Sequence, residues 1–129
     1  MTNSSTPVLE GAWLRPGTHV NAAGSNRANA QEIDVEAVTR ANVVAVEDVA
    51  QAKVESGDLR AANETAHWSW DHVTRLSDIV AGHALARTAD DQITLFESLG
   101  IGLWDIAAAS HVFDICMIEG RGTRLPIPS

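Results

Sequence analysis

Three short apolar runs of strand character divide the chain, and polar or helical segments separate them. Residues 18–23 (Thr-His-Val-Asn-Ala-Ala) follow the turn signal Pro16-Gly17 and end at Gly24-Ser25-Asn26. Asn42-Val43-Val44-Ala45-Val46 is apolar without alternation, the pattern of a parallel strand buried on both faces, and Glu47-Asp48 ends it. Ile93-Thr94-Leu95-Phe96 predicts the third strand. Between the first two, Asp34 is placed to cap a helix over 35–41 with Val35, Val38 and Ala41 at helical spacing. Asp48 likewise caps a helix running through Ser56, with Gly57 read as its C-terminal stop. Residues 58–70 carry no clear period, whereas 71–80 place Val73, Leu76, Ile79 and Val80 on one helical face. Glycines 100 and 102 open a last helix over 103–119, apolar nearly all round, which is expected to be buried against two surfaces. Gly120-Arg121-Gly122 ends it, and Leu125-Pro126-Ile127-Pro128 reads as an extended tail. This rhythm predicts an α/β fold with a short parallel sheet flanked by helices, and a single domain over 1–129.

Composition narrows the function classes. Hydrophobic residues make up 45% of 129, enough for a core, yet aromatics are only 5%, so Ala, Val, Leu and Ile must fill it. Seventeen acids against nine bases give a net charge of −8, which repels phosphate backbones and anionic membranes. Nucleic acid and membrane are therefore excluded as expected partners. A dinucleotide is not, because backbone N–H groups at helix N-termini hold it locally. One cysteine, Cys116, allows no internal disulfide and reads as a small buried hydrophobe; with no signal peptide in the polar opening residues, the expected location is the cytoplasm.

Ligands of open parallel sheets bind beyond the carboxyl ends of the strands. Gly24-Ser25-Asn26, Glu47-Asp48 and Ser98-Leu99-Gly100 stand at those ends. The first and third combine glycine, which admits close backbone approach, with side chains able to hydrogen-bond a ligand; ordinary turn chemistry produces the same residues. No G-x-G-x-x-G occurs; Gly100-Ile101-Gly102 lacks the third glycine. His67 and His72 stand five apart, which does not put both rings on one helical face, so no metal is expected. Trp68 and Trp70 read as anchors of that segment, and His111 as a core histidine of the last helix. No catalytic set can be assembled from sequence alone.

Three stretches resemble the ornithine cyclodeaminase/μ-crystallin family: Leu14-Arg15-Pro16-Gly17-Thr18-His19-Val20-Asn21-Ala22-Ala23-Gly24, Gln51-Ala52-Lys53-Val54-Glu55-Ser56-Gly57-Asp58-Leu59, and Arg87-Thr88-Ala89-Asp90-Asp91-Gln92-Ile93-Thr94-Leu95-Phe96-Glu97-Ser98-Leu99-Gly100, with a matching Leu-Pro tail. The resemblance runs in order along nearly the whole chain. It implies a partial Rossmann-like domain, the C-terminal half of a family member truncated within its NAD(P)-binding domain. Members cyclise ornithine with loss of ammonia, reduce cyclic imines or act as amino-acid dehydrogenases; their pyrophosphate loop and their substrate-binding lysine and arginine lie upstream of the matching block. By resemblance Ser25, Asn26 and Ser98 lie nearest the nicotinamide and Ser4 near the adjoining ribose, and Gly24 is a further cofactor-binding candidate. Where many members carry a catalytic aspartate this chain has Asn26, and Ala30 replaces a basic residue; an asparagine cannot shuttle a proton as a carboxylate does.

The resulting expectation is a chain with no catalytic residues of its own and no firm cofactor, NAD(P) entering only by resemblance. It would self-associate, as a dimer, through an unpaired strand edge near residues 18–23 or through the last helix. The alternative is an NAD(P)-dependent ornithine cyclodeaminase, imine reductase or amino-acid dehydrogenase half that needs a complementing chain. A small-molecule binding module at the crevice beyond the strands is a third reading.

Overall fold

The computed structural model describes residues 2, 4–65, 67–123 and 125–126. Met1, Asn3 and, in the tail expected to be extended, Ile127 and Pro128 lie outside them. Four strands form one sheet that is parallel throughout: β1 (His19–Ala22), β2 (Val43–Val46), β3 (Val73–Arg75) and β4 (Thr94–Glu97), in the spatial order β1-β4-β2-β3. The valine run of β2 has the central position its composition demands. It is flanked by β3 and β4, and Val44, Ala45 and Val46 are buried.

One face of the sheet, built from Val20, Ala22, Val44, Val46 and Leu95, packs on Ile33, Ala37, Val38, Ala52, Leu59 and Ala62. Those side chains come from α1 (Val35–Arg40), α2 (Val49–Glu55), α3 (Gly57–Thr65) and the segment before α1. Both aspartate caps act as the sequence predicts: Asp34 accepts from Ala37 N, and Asp48 accepts from Gln51 N. Asp34 Oδ1 also accepts from Gly11 N at 2.8 Å, tying the single turn Gly11–Trp13 to α1. The other face is thinly covered. α4 (Leu76–Val80) lies over part of it, leaving an apolar pocket of about 190 Å³ among Val43, Ala45, Leu76, Ile79 and Phe96, while His19 and Asn21 of β1 stay exposed.

Gly57 does not end the second helix by a left-handed cap; its φ is not positive. Ser56 makes the break instead. Its extended backbone closes α2 by donating N–H to Ala52 O, and its hydroxyl accepts from Leu59 N at 3.1 Å to start α3. Residues 71–80 are not one helix. Val73–Arg75 pair with Val44–Val46 as a strand, and only Leu76–Val80 are helical. The β-branched Val73 and Thr74 beside an unfilled strand edge prevailed over the helical spacing. Trp68 is buried and meets Trp70 edge-on at 5.6 Å, anchoring this segment as expected.

The last helix, α5 (Gly102–Glu119), matches its expected bounds, and its chain reverses at Gly120. Within this chain, however, it buries no residue. Leu103, Ile106, Phe113 and Ile118 are 71%, 69%, 63% and 85% exposed, so the expected two covering surfaces are not supplied by the described residues. His111 is exposed rather than a core residue, and Cys116 is half-buried rather than buried. No described helix is long and apolar enough to cross a membrane.

Candidate functional site

The carboxyl edge of the sheet gathers the residues of interest because parallel strands all deliver their C-terminal loops to the same side. Ser98 N donates to Ala22 O at 2.7 Å, which sets the loop after β4 beside the loop after β1. Gln31 N donates to Ser4 O at 3.3 Å, bringing the N-terminal segment to the same region. Ser4, Gly24, Ser25, Asn26 and Ser98 therefore share one edge.

Three of their side chains are already engaged within the chain. Ser25 is 1% exposed; its hydroxyl donates to Glu97 Oε1 at 3.0 Å and accepts from Asp58 N at 3.3 Å. Ser98 Oγ donates to Glu47 Oε1 at 2.6 Å, and Ser4 Oγ donates to Thr6 O at 2.6 Å. Gly24 is not open for a ligand's close approach: a Cβ there would lie 2.6 Å from both Glu32 Oε1 and Thr2 O, so the protein itself fills that space. Asn26 is exposed, and its side chain makes no hydrogen bond among the described residues.

Four carboxylates do the holding, and the sequence reading singled out none of them for it. Glu47, 8% exposed, accepts from Ser98 Oγ, Leu99 N and Gly100 N, fixing the loop after β4. Glu32 Oε2 accepts from Ala23 N at 2.9 Å and Gly24 N at 2.7 Å, fixing the loop after β1. Burial works against its charge, but these amides and the Thr2 side chain outweigh it and hold the carboxyl below its ordinary range.

Glu97, fully buried at the end of β4, accepts from Ser25 Oγ and Ser56 Oγ, both at 3.0 Å. Burial and the neighbouring Asp58 push its carboxyl up to about 8. Asp58 Oδ1 accepts from Glu32 N at 2.9 Å and Ile33 N at 3.3 Å; burial raises its carboxyl to about 6 against the pull of those donors. The detectable signal was an acid next to an apolar run, Ile93–Phe96 followed by Glu97. Its meeting with residues 25, 56 and 58 was not detectable from spacing.

On the same edge, an open cleft of about 650 Å³ lies between Glu47, Arg75, Leu76, Val80, Ile101 and Trp104. His67, Trp68 and His72 line a different hollow with Asn42, at the opposite, amino end of β2. Among the described residues no three His, Cys, Asp or Glu are placed to hold a metal ion. A dinucleotide fits poorly to the groups present. The hydroxyls nearest the expected nicotinamide position are spent on carboxylates, and the chain has no glycine-rich pyrophosphate turn.

Comparison with known proteins gives consistent matches. The ornithine cyclodeaminase/mu-crystallin family model matches residues 1–119. A Delta(1)-pyrroline-2-carboxylate reductase of Bacillus cereus is 37% identical over 96% of this chain and 38% of its own length. The structure of Thermococcus litoralis Delta(1)-pyrroline-2-carboxylate reductase in complex with NADH and L-proline superposes with a TM-score of 0.89 at 31% identity, covering 96% of this chain and 38% of that one. An archaeal alanine dehydrogenase dimer with bound NAD superposes at 0.83 and 30% identity, over 97% and 39% of the two chains. The chain thus spans about 38% of the length of the reductases it matches.

Proposed function

The chain belongs to the ornithine cyclodeaminase/mu-crystallin family, and we propose that these 129 residues by themselves are a non-catalytic, self-associating unit corresponding to the C-terminal part of its NAD(P)-binding domain. The observation that carries this reading is α5: eighteen residues, apolar on every side, with none buried. A helix of that composition is marginal in water unless another surface covers it. β1 adds a second unsatisfied element, a strand at the sheet edge whose outer side meets no partner strand among the described residues. Both features favour a dimer of this chain. The engaged serines, and an asparagine at the position of the family's acid, support the non-catalytic half of the proposal. The lone cysteine supports a cytoplasmic setting.

The open edge of β1 also supports a second reading, in which a complementing chain adds a parallel strand there and the pair performs NAD(P)-dependent imine reduction, cyclodeamination or amino-acid dehydrogenation. Light scattering on the purified chain tests the first reading. A mass of two chains is expected, and Val112→Glu with Ile118→Glu (58% and 85% exposed) should move it toward one chain without loss of helical signal. A monodisperse monomer of the unchanged protein would overturn self-association.

A further inference from the structure

We propose that one face of α5 is a self-complementary seam on which a second copy of this chain docks antiparallel, helix against helix. This rests on the self-association proposed above and specifies its surface. Hydrophobicity alone marks no face, since α5 is apolar all round; exposure and side-chain size do. Leu103, Ile106, Ser110, Phe113, Met117 and Gly120 follow one another at steps of three and four residues, the spacing of a stripe down one side of a helix. The four large apolar members of that stripe are 58–71% exposed. Trp104 and Ile115, on the opposite side, are only 44% and 37% exposed, and the Trp104 ring lies 6.4 Å from that of Phe96 in β4. The helix turns its back to the sheet and the stripe to solvent.

Side-chain size along the stripe fixes the direction of the partner. Packed antiparallel about a two-fold axis between residues 111 and 112, the stripe sets Leu103 beside the partner's Gly120, Ile106 beside the partner's Met117 and Phe113 beside the partner's Ser110. The end and central layers each join a large side chain to a small one, as close packing requires. Parallel packing would stack Phe113 on Phe113, Ser110 on Ser110 and Gly120 on Gly120, a bulge and two voids. A matching hollow exists: a groove of about 640 Å³ runs along the second half of α5 and the turn after it, lined by Ala109, Phe113, Cys116, Met117 and Gly120. The partner's Leu103 and Ile106 arrive there. Gly120 ends the helix with a φ of 66°, and nothing lies within 4 Å of where a Cβ would stand, so that end of the seam has room. Val112 lines the same groove, so the glutamate placed there in the variant above falls on this surface. Charge agrees with size. Asp105 stands in the first turn of α5 and Arg121 just beyond its end, so antiparallel packing carries each acid toward the partner's base, whereas parallel packing brings acid to acid. The exposed pair of Arg121 with Glu119, at 3.0 Å, is weak competition.

Cross-linking through introduced cysteines reads the direction. In a Cys116→Ser background, Ile106→Cys and Met117→Cys each alter a side chain exposed in the single chain, so the core is left alone. In the antiparallel seam the two copies of residue 106 lie roughly 16 Å apart along the helix axis, as do the two copies of residue 117, at about 1.5 Å per residue. A disulfide spans at most about 7 Å between Cα atoms. Each variant alone should therefore stay uncross-linked under mild oxidation. An equal mixture, combined before oxidation, should give a covalent pair with one chain of each kind. Light scattering on the same samples should give the mass of two chains. Cross-linking of either variant with itself would overturn the antiparallel seam. So would a two-chain mass with no cross-link in the mixture, which puts the contact elsewhere, the β1 edge included, and leaves self-association standing. A one-chain mass for the unchanged protein would remove both.

Discussion

Gly57→Ala should leave the chain unfolded, or nearly so, at room temperature. An ideal Cβ at position 57 would collide with the carbonyl oxygen of Ala30 and sit 3.0 Å from both the Ala30 carbonyl carbon and Arg27 O. All three are backbone atoms, so no side chain can swing aside. The loop carrying Ala30 would have to lift from the start of α3, and with it Glu32, whose N–H is held by Asp58. Overpacking of a fitted interior costs about 1–3 kcal/mol, and more where the backbone itself is the obstacle. Against a total stability on the order of 5–15 kcal/mol, and less for a chain with an uncovered helix, about 3 kcal/mol or more is decisive. Urea unfolding followed by circular dichroism measures it. A midpoint within the error of the parent's would mean that residues 27–30 do not press on α3 as described.

The second large effect is expected at Glu47. Its two oxygens receive the Ser98 hydroxyl at 2.6 Å, Leu99 N at 3.1 Å and Gly100 N at 3.2 Å, in a half-buried setting. Glu47→Ala leaves one hydroxyl and two amides without their acceptor, and each deserted buried group costs about 1–3 kcal/mol unless water reaches it. A loss of about 2–4 kcal/mol is therefore expected. It should be concentrated in the loop that leads into α5. Amide exchange at Leu99 and Gly100 should accelerate far more than at Val44 or Val46. Uniform exchange across the sheet, or none at the loop, would contradict a pinning role.

The sequence made the sheet largely legible for a definite reason. β2 is apolar on both faces, and such a run has few homes other than the middle of a parallel sheet. Asp34 and Asp48 were legible as caps because capping chemistry is local. α3 was not: Gly57–Thr65 (GDLRAANET) is mostly polar, and its apolar side chains in the core are only Leu59 and Ala62, too sparse for a period to show. β3 was hidden because three residues, Val73–Arg75, satisfy both periodicities, and only the free side of β2 decides between them.

At the site, Gly24, Ser25 and Ser98 were identifiable as strand-end residues, but what they do is fixed by acids 8 to 72 positions away in the chain. The pairing of Ser25 with Glu97 and Ser98 with Glu47 is a consequence of strand order, which no spacing along the chain encodes. The apolar wrap of α5 led to the expectation of two covering surfaces; among the described residues nothing covers it, and the helix buries none of its own.

Relatives about two and a half times as long, with NADH or NAD bound in their structures, set the contrast on which the account turns. The most direct test is a titration of the purified 129-residue chain with NADH and NADPH, following energy transfer from its four tryptophans. A linear, unsaturable response is expected, because the candidate contacts Ser25 and Ser98 are committed to Glu97 and Glu47 and no G-x-G-x-x-G turn is present in the 129 residues to take the pyrophosphate. Saturable binding in the micromolar range, one nucleotide per chain, would contradict it and leave the carboxyl edge of this sheet as a working nucleotide site.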